Sequence, residues 1–246
     1  MLTNMGVKKA SIIIIGNEVL SGKVEEQNAR FLIGDLRDLG VQLQSVHFIP
    51  DDTSTIVETV SRESARSDFV LTTGGVGPTH DDITIASISA AFNKKIIRHE
   101  HLEKLLRGYF GEAIDDVRLS MANVPEGAEL IFDGGLKYPV IQCQNVYIFP
   151  GVPELLRRKF LAIRERFRST PLHLRVCYTL EDEFDLVDRL NQVTSSHPDV
   201  QIGSYPDFES PHYRVKLTLE SRSEEKLEAA HSELLSLLDK SRTVYL

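Results

Sequence analysis

The sequence predicts an α/β fold, doubly wound with a largely parallel sheet, followed by a small α+β domain. Three observations predict it. Short apolar runs rich in β-branched residues alternate with helix-period stretches three times in the first half, the pattern of a sheet covered on both faces. Turns bearing glycine or aspartate follow those runs, at the strand ends where such sheets bind ligands. Beyond Pro171 the order becomes strand, helix, strand, strand, helix, which is the pattern of an α+β unit. Ser169-Thr170-Pro171 marks the boundary, giving domains of residues 1–168 and 169–246.

Ser11 to Ile15 reads as a strand and stops at Gly16-Asn17-Glu18. From about Glu25 the period turns helical, with Phe31, Leu32, Leu36 and Leu39 on one face and Gly40 placed as the C-terminal cap. Val41 to Ile49 is a second strand, ended by Pro50-Asp51-Asp52. Asp52 or Thr53 then caps a helix that turns Ile56, Val57 and Val60 inward. Phe69 to Thr72 is the third strand, and helical period resumes near Ile83. Ile96-Ile97 reads as a short strand, Leu102, Leu105, Leu106 and Tyr109 as a helix face, and Arg118 to Ala122 as helical. Pro125-Glu126-Gly127 is a turn, and Val140 to Gln142 and Val146 to Phe149 form a hairpin. Pro150-Gly151-Val152-Pro153 breaks it, with Pro153 suited to open a helix that runs to about Phe167. In the second domain the strands are Leu174 to Thr179, Val200 to Tyr205, Tyr213 to Leu219 and a last one at Thr243 to Leu246; the helices are Glu183 to Val193 and Glu224 to Leu238.

A formal net charge of −8 argues against a protein that binds nucleic acid electrostatically. The second domain carries 8 basic against 14 acidic residues, and its only glycine is Gly203, so it has no GxxG loop to clamp an RNA backbone. A structural or oligomerising role is expected of it. The apolar run at Ile12 to Ile15 is too short for a signal peptide, and no stretch approaches the roughly 20 apolar residues of a membrane span. Cys143 and Cys177 lie in strand-like runs and read as buried thiols, with a cytoplasmic location as the default.

The stretch Leu71-Thr72-Thr73-Gly74-Gly75-Val76-Gly77-Pro78-Thr79-His80-Asp81-Asp82 carries the chemistry. A glycine turn exposes backbone N–H groups, and a following helix start adds its own with the positive end of its dipole, so the stretch suits a phosphate. Carboxylates beside a phosphate repel it unless a cation lies between. Asp51, Asp81 and Asp82 are therefore candidates to hold a divalent metal and activate water. Each also has a plain role as a helix cap, and a glycine-rich connection with no ligand is the competing reading. Glu18 follows a strand end, where a solvated loop carboxylate is the alternative. Thr73 and Thr79 offer hydroxyls to a phosphate or close turns. His80 can orient a phosphate, act as a general acid, or stay solvated. His99-Glu100-His101 has no third ligand nearby and reads as a surface helix start. No GxSxG, Walker A or GxGxxG motif is present.

TTGGVGPTHDDIT resembles the central motif of the molybdopterin-binding fold shared by MogA and MoaB proteins and by the N-terminal domains of CinA and of animal-type FAD synthases. Three further blocks match in order: IGNEVLSGKVEEQNARFL, IPDD at Ile49 to Asp52, and FPGVPELL at Phe149 to Leu156. RLSMANVPEGA is a weaker fifth block, and the likeness covers about residues 8–168. GSYPDFESPHYRVKLTLES resembles the region that follows this domain in FAD synthases. The resemblance implies a three-layer molybdopterin-binding-type fold that handles a cofactor phosphate through a divalent cation, Mg, Mn or Co. It gives Asp51 and Asp82 the positions of the family's functional aspartates, and Asp81 that of the acidic pair of the CinA and FAD synthase branch. Gly74, Gly75 and Gly77, with Thr73, Pro78 and Thr79, would line the anion site. Gly16, Asn17, Glu18 and Asn28 belong to the first block, and Pro150, Gly151 and Pro153 to the opposite wall.

In that branch the domain is associated with metal-dependent hydrolysis of nucleotide pyrophosphates such as FAD or ADP-ribose, and the family's habit implies a homo-oligomer. The expected function is such a pyrophosphatase. The alternatives are a non-catalytic molybdopterin or flavin-nucleotide binding protein, related to molybdenum cofactor biosynthesis, and a nucleotide sensor acting through a partner chain. The resemblance ends before the amidase domain of CinA or the adenylyltransferase domain of FAD synthase, so neither activity is expected of these residues. Asp133-Gly134-Gly135-Leu136-Lys137-Tyr138-Pro139 stands where CinA-like sequences carry an asparagine- and glycine-containing segment, which weakens the expectation of a pterin ligand.

Overall fold

Lys9–Ile15 (β1) is buried along all but its first residue, as a β-branched run must be when both sheet faces are covered. The structure, a computed structural model, describes residues 6–245. A four-residue helix, Asn17–Leu20 (α1), follows β1, and Asn28–Asp38 (α2) buries Leu32 and Leu36. Gly40 ends α2 at φ 76°; its amide donates to Arg37 O while the Val41 amide donates to Leu36 O. That pair of bonds is a Schellman motif, which requires the left-handed conformation that glycine adopts most cheaply.

Gln42–Ile49 (β2), Thr53–Arg66 (α3), Phe69–Thr73 (β3) and Thr84–Ala91 (α4) complete three strand–helix units. Asp52, and not Thr53, caps α3 by accepting from the Thr55 amide at 2.8 Å. Ile56 and Val60 point inward, whereas Val57 is only partly buried and Thr59 and Glu63 take the remaining inward positions. Ile96–Arg98 (β4) pairs with Asn123–Pro125 (β5) in a separate two-stranded sheet; Glu100–Phe110 (α5) and Asp116–Leu119 (α6) lie between them in the chain. α5 buries Leu102 and Leu106 but leaves Tyr109 in solvent, contrary to the periodicity. Glu129–Ile131 (β6), Val140–Cys143 (β7) and Val146–Phe149 (β8) return to the main sheet, and Pro153–Ile163 (α7) follows. β5 and β6 are three residues each, too short for alternation to reveal them in the sequence.

The main sheet runs β2-β1-β3-β8-β7-β6. β2, β1, β3 and β8 are mutually parallel, and β7 is antiparallel to both β8 and β6. Alternate residues of β1 feed two cores: Ile12 and Ile14 pack with Leu32, Leu36 and Phe160, while Ile13 and Ile15 pack with Ile56, Val60 and Ile88. The unit is therefore the three-layer α/β/α arrangement the pattern implies.

This unit ends at Thr170 and a second begins at Pro171. In the second, His173–Thr179 (β9), Glu183–Ser196 (α8), Gln201–Pro206 (β10), Val215–Ser221 (β11), Glu224–Leu237 (α9) and Thr243–Val244 (β12) build an antiparallel sheet in the order β10-β11-β9-β12. Leu186, Leu227 and Leu234 of its helices pack on Cys177, Leu217 and Leu219. Leu246, assigned to the last strand from sequence, lies outside the described residues. Burial pushes both free thiols up, Cys177 to about 11, which removes either as a nucleophile at neutral pH. Among the described residues no helix is long and apolar enough to cross a membrane.

An ionised carboxylate is enclosed in the first unit. Glu63 of α3 is 1% exposed and accepts from the hydroxyls of Ser11 and Ser45 at 2.9 and 2.8 Å and from Arg62 Nε at 2.9 Å, with His47 Nε2 at 3.2 Å. Burial pushes this carboxyl up, but the bonds from Arg62, Ser45 and Ser11 and the charge of His47 outweigh it and bring it to about 2. With the folded value below the ordinary 4.5, the stabilisation is present above pH 4.5 and is lost as pH falls toward 2. Glu63→Gln is expected to lower the unfolding free energy of this unit at pH 7, measured by urea denaturation, by up to about 3 kcal/mol, and the gap to wild type should close between pH 4.5 and 2. A pH-independent gap would show that the carboxylate's charge contributes nothing.

Candidate functional site

Strand register places the site. Ile15 pairs with Ile49, Ile14 with Thr73, and Thr73 with Phe149. Four parallel strands thus end at one level, and the turns after β1, β2, β3 and β8 leave from one edge of the sheet. The turn after β3 is held tightest. Gly74 has φ 101°, and a Cβ there would lie 2.0 Å from Ile15 O; a Cβ on Gly151 would in turn lie 3.4 Å from Gly74 Cα. Gly75 follows at φ 60°, and a Cβ there would meet Thr84 Oγ1 at 2.5 Å and Asp51 Oδ1 at 3.5 Å. At Gly77 it would meet Asp82 Oδ2 at 2.7 Å. Two carboxylates, Asp51 and Asp82, therefore line a turn stripped of side chains.

Each is fixed by neighbours. Asp51 Oδ2 accepts from the Asn17 amide at 2.8 Å, closing the start of α1 from the turn after β2. Asp82 Oδ2 accepts from the Thr79 amide at 2.8 Å and from the Thr79 hydroxyl. Asp81 is exposed, and the Thr79 hydroxyl, its own backbone amide and the charge of His80 hold its carboxyl below the usual range. Neither Asp81 nor Asp82 caps the helix: the residue before α4 is Ile83, with no side-chain capping bond. The capping explanation therefore fails for this pair. Among the described residues nothing accepts from the backbone amides of Gly75, Val76 and Gly77.

Behind the turn lies a brace. Asn28 Nδ2 donates to Thr73 Oγ1 at 3.1 Å and to Gly151 O at 2.7 Å, and the Thr73 hydroxyl donates to Pro150 O at 2.9 Å. Thr73 is thus buried and its hydroxyl committed; contrary to one expectation, it offers nothing to a phosphate. Asn28 Oδ1 is buried without a partner among the described residues. Thr79 likewise spends its hydroxyl within the turn, while Pro78 and His80 are exposed there. Glu18 is exposed with its carboxylate folded against Gly16. Pro153 opens α7 after Val152. His99 caps α5 by accepting from the His101 amide, the surface helix start expected of it.

Two residues escaped the sequence reading. Thr84 donates its hydroxyl to Gly74 O at 2.9 Å and its amide to Gly75 O at 3.0 Å, and Glu26 accepts from the Asn28 and Ala29 amides at the start of α2. Both lie inside matching blocks, Thr84 closing TTGGVGPTHDDIT and Glu26 within IGNEVLSGKVEEQNARFL, and that was the signal that could have found them.

The described residues contain no group of three or more His, Cys, Asp or Glu side chains placed to hold a metal ion. Asp51, Asp81 and Asp82 are not a preassembled three-ligand centre. Asp51 and Asp82 are hard oxygen donors at one turn, which fits Mg²⁺ or Mn²⁺, since such ions bind through one or two carboxylates with phosphate oxygens and water completing the shell.

The family described as probable molybdopterin binding domain matches residues 11–168. The chain belongs to that family. The FAD synthase middle domain matches residues 171–246, so the molybdopterin-binding-type domain is followed by the second unit found in FAD synthases. A protein of Archaeoglobus fulgidus is 37% identical over 94% of this chain and 98% of its own length. A probable FAD synthase of Caenorhabditis elegans is 32% identical over 94% of this chain but 50% of its own, so the chain spans half of that relative. The crystal structure of CinA from Thermoplasma acidophilum is 28% identical, with a TM-score of 0.60 over 65% of this chain and 98% of that one.

In this molybdopterin-binding-type domain Gly74 is the position that tolerates least. Gly74→Ala is expected to cost at least about 3 kcal/mol, from left-handed strain plus collision with backbone. Gly22→Ala, at φ 70° with nothing within 4 Å, should cost only about 1 kcal/mol. Thermal unfolding of the two variants checks this; equal losses would show that the Ile15 contact does not constrain the turn.

Proposed function

We propose that the protein is a metal-dependent nucleotide pyrophosphatase, acting on FAD- or ADP-ribose-type substrates. One observation supports the reading: Asp51 and Asp82 converge on a glycine turn whose Gly75, Val76 and Gly77 amides have no partner among the described residues. Those amides suit one phosphate of a pyrophosphate, and the two carboxylates repel it unless they share a cation with it. The family supports the substrate class, with FAD synthases among its members.

Asp51 and Asp82 would hold the metal, which when bound polarises the phosphoryl group and makes its water a stronger nucleophile. Asp81, ionised and exposed, adds negative charge that draws the cation to the turn. Water adds to one phosphorus and the P–O–P bridge breaks, giving AMP and the second monophosphate. The Gly75 to Gly77 amides stabilise charge growing on the phosphoryl oxygens, and being fixed by the fold they need no reorganisation as it grows. No covalent nucleophile is required.

The test is AMP release from FAD, ADP-ribose and NAD with Mg²⁺, Mn²⁺ or Co²⁺. Asp82→Asn and Asp51→Asn are each expected to lose about 100-fold or more in kcat while keeping the wild-type melting temperature. Undiminished metal-dependent release from Asp82→Asn overturns the assignment of the carboxylates. A melting shift on adding FAD or molybdopterin, with no AMP formed under any metal, replaces the enzyme by a binding protein.

A further inference from the structure

We infer that Thr84 is the positioning residue of the anion site: its hydroxyl and amide hold the glycine turn so that the Gly75 and Val76 amides face the ligand. The inference deepens the pyrophosphatase reading and rests on its placement of a phosphate at this turn. Thr84 is fully buried, and its two polar backbone-proximal groups both point at the turn, Oγ1 to Gly74 O at 2.9 Å and N to Gly75 O at 3.0 Å. In a trans peptide the C=O and the N–H of the same unit point in opposite directions. Gly74 O belongs to the unit that carries the Gly75 amide, and Gly75 O to the unit that carries the Val76 amide. Drawing both carbonyls to one side chain and its amide therefore turns both N–H groups away from α4, on the same side of the turn.

Free glycine peptides would not stay that way. Gly74 and Gly75 both sit at positive φ, where glycine has low barriers to alternatives, so the plane of each peptide is set by what its carbonyl bonds to. Gly74 is wedged by Ile15 and Gly151, but neither contact fixes which way its carbonyl faces. Thr84 does. The same geometry reassigns the source of the donors: the first amide of α4 is spent on Gly75 O, so the anion site is built by the turn, and the helix start serves as its clamp.

Inorganic pyrophosphate is the probe, since binding it requires no turnover. In the wild-type protein with Mg²⁺ it should shift the ¹⁵N–¹H resonances of Gly75 and Val76; unmoved resonances overturn the inference without any variant. Thr84→Val, which keeps the shape and removes the donor, should weaken pyrophosphate binding about tenfold or more, with the fold checked by its melt. Thr84→Ser, which keeps the donor, should bind within about twofold of wild type. Wild-type binding by Thr84→Val, or an equal loss in Thr84→Ser, overturns the role of the hydroxyl. Pyrophosphate binding that obeys these expectations with no hydrolysis of any nucleotide leaves Thr84 its role and removes the pyrophosphatase. Hydrolysis in which Thr84→Val matches wild type in kcat and KM does the reverse.

Discussion

The ligand edge depends on how closely Gly74 passes the carbonyl of Ile15. Four parallel strands ending at one level crowd their turns together, and the crowding is resolved by removing side chains: Gly16, Gly74, Gly75 and Gly151 occupy the places where chains meet. Removing them also uncovers backbone amides. A packing constraint of a tightly wound parallel sheet thereby produces the bare donor surface that an anion needs. The carboxylates then occupy the space beside the glycines, with Asp51 over Gly75 and Asp82 over Gly77.

The charge at this edge has an internal logic. The protein carries a net −8, so no long-range field draws a phosphate in, and the nearest side chains are acidic. Amide dipoles alone favour an anion, and carboxylates alone favour a cation. Together they would favour a neutralised pair of cation and anion over either ion separately. This is the physical content of a turn in which glycines are followed by aspartates.

Much of this was legible in the sequence, and the division between what was and was not has a cause. Strands β1, β3 and β8 and their turns are written in contiguous residues, so Gly16, the Gly74 to Asp82 stretch and Pro150 to Pro153 could be placed on one edge from order alone. What ties them together is not contiguous. The Asp51 carboxylate reaches an amide 34 residues away and Asn28 reaches Gly151 across 123. Side-chain roles at such distances leave no local pattern, which is why Thr73 read as a phosphate ligand although its hydroxyl belongs to Pro150. Asp82 read equally as a cap, until the structure showed α4 starting later with its polar groups directed at the turn.

Two carboxylate clusters in this unit show how a candidate site differs from a structural cluster built of the same residue types. Glu63 is closed on all sides, its oxygens taken by Ser11, Ser45 and Arg62 with His47 beside them, and burial without those donors would have driven its proton back on. Nothing more can bind there, and the charge serves the fold. The glycine turn is open by contrast: Asp51 accepts one amide from Asn17, Asp81 stands in solvent, and three consecutive amides have no acceptor among the described residues. Because glycine reaches positive φ without strain, Gly74 and Gly75 let one short turn set backbone donors beside carboxylate oxygens, the two kinds of group that an anion and a cation respectively would use.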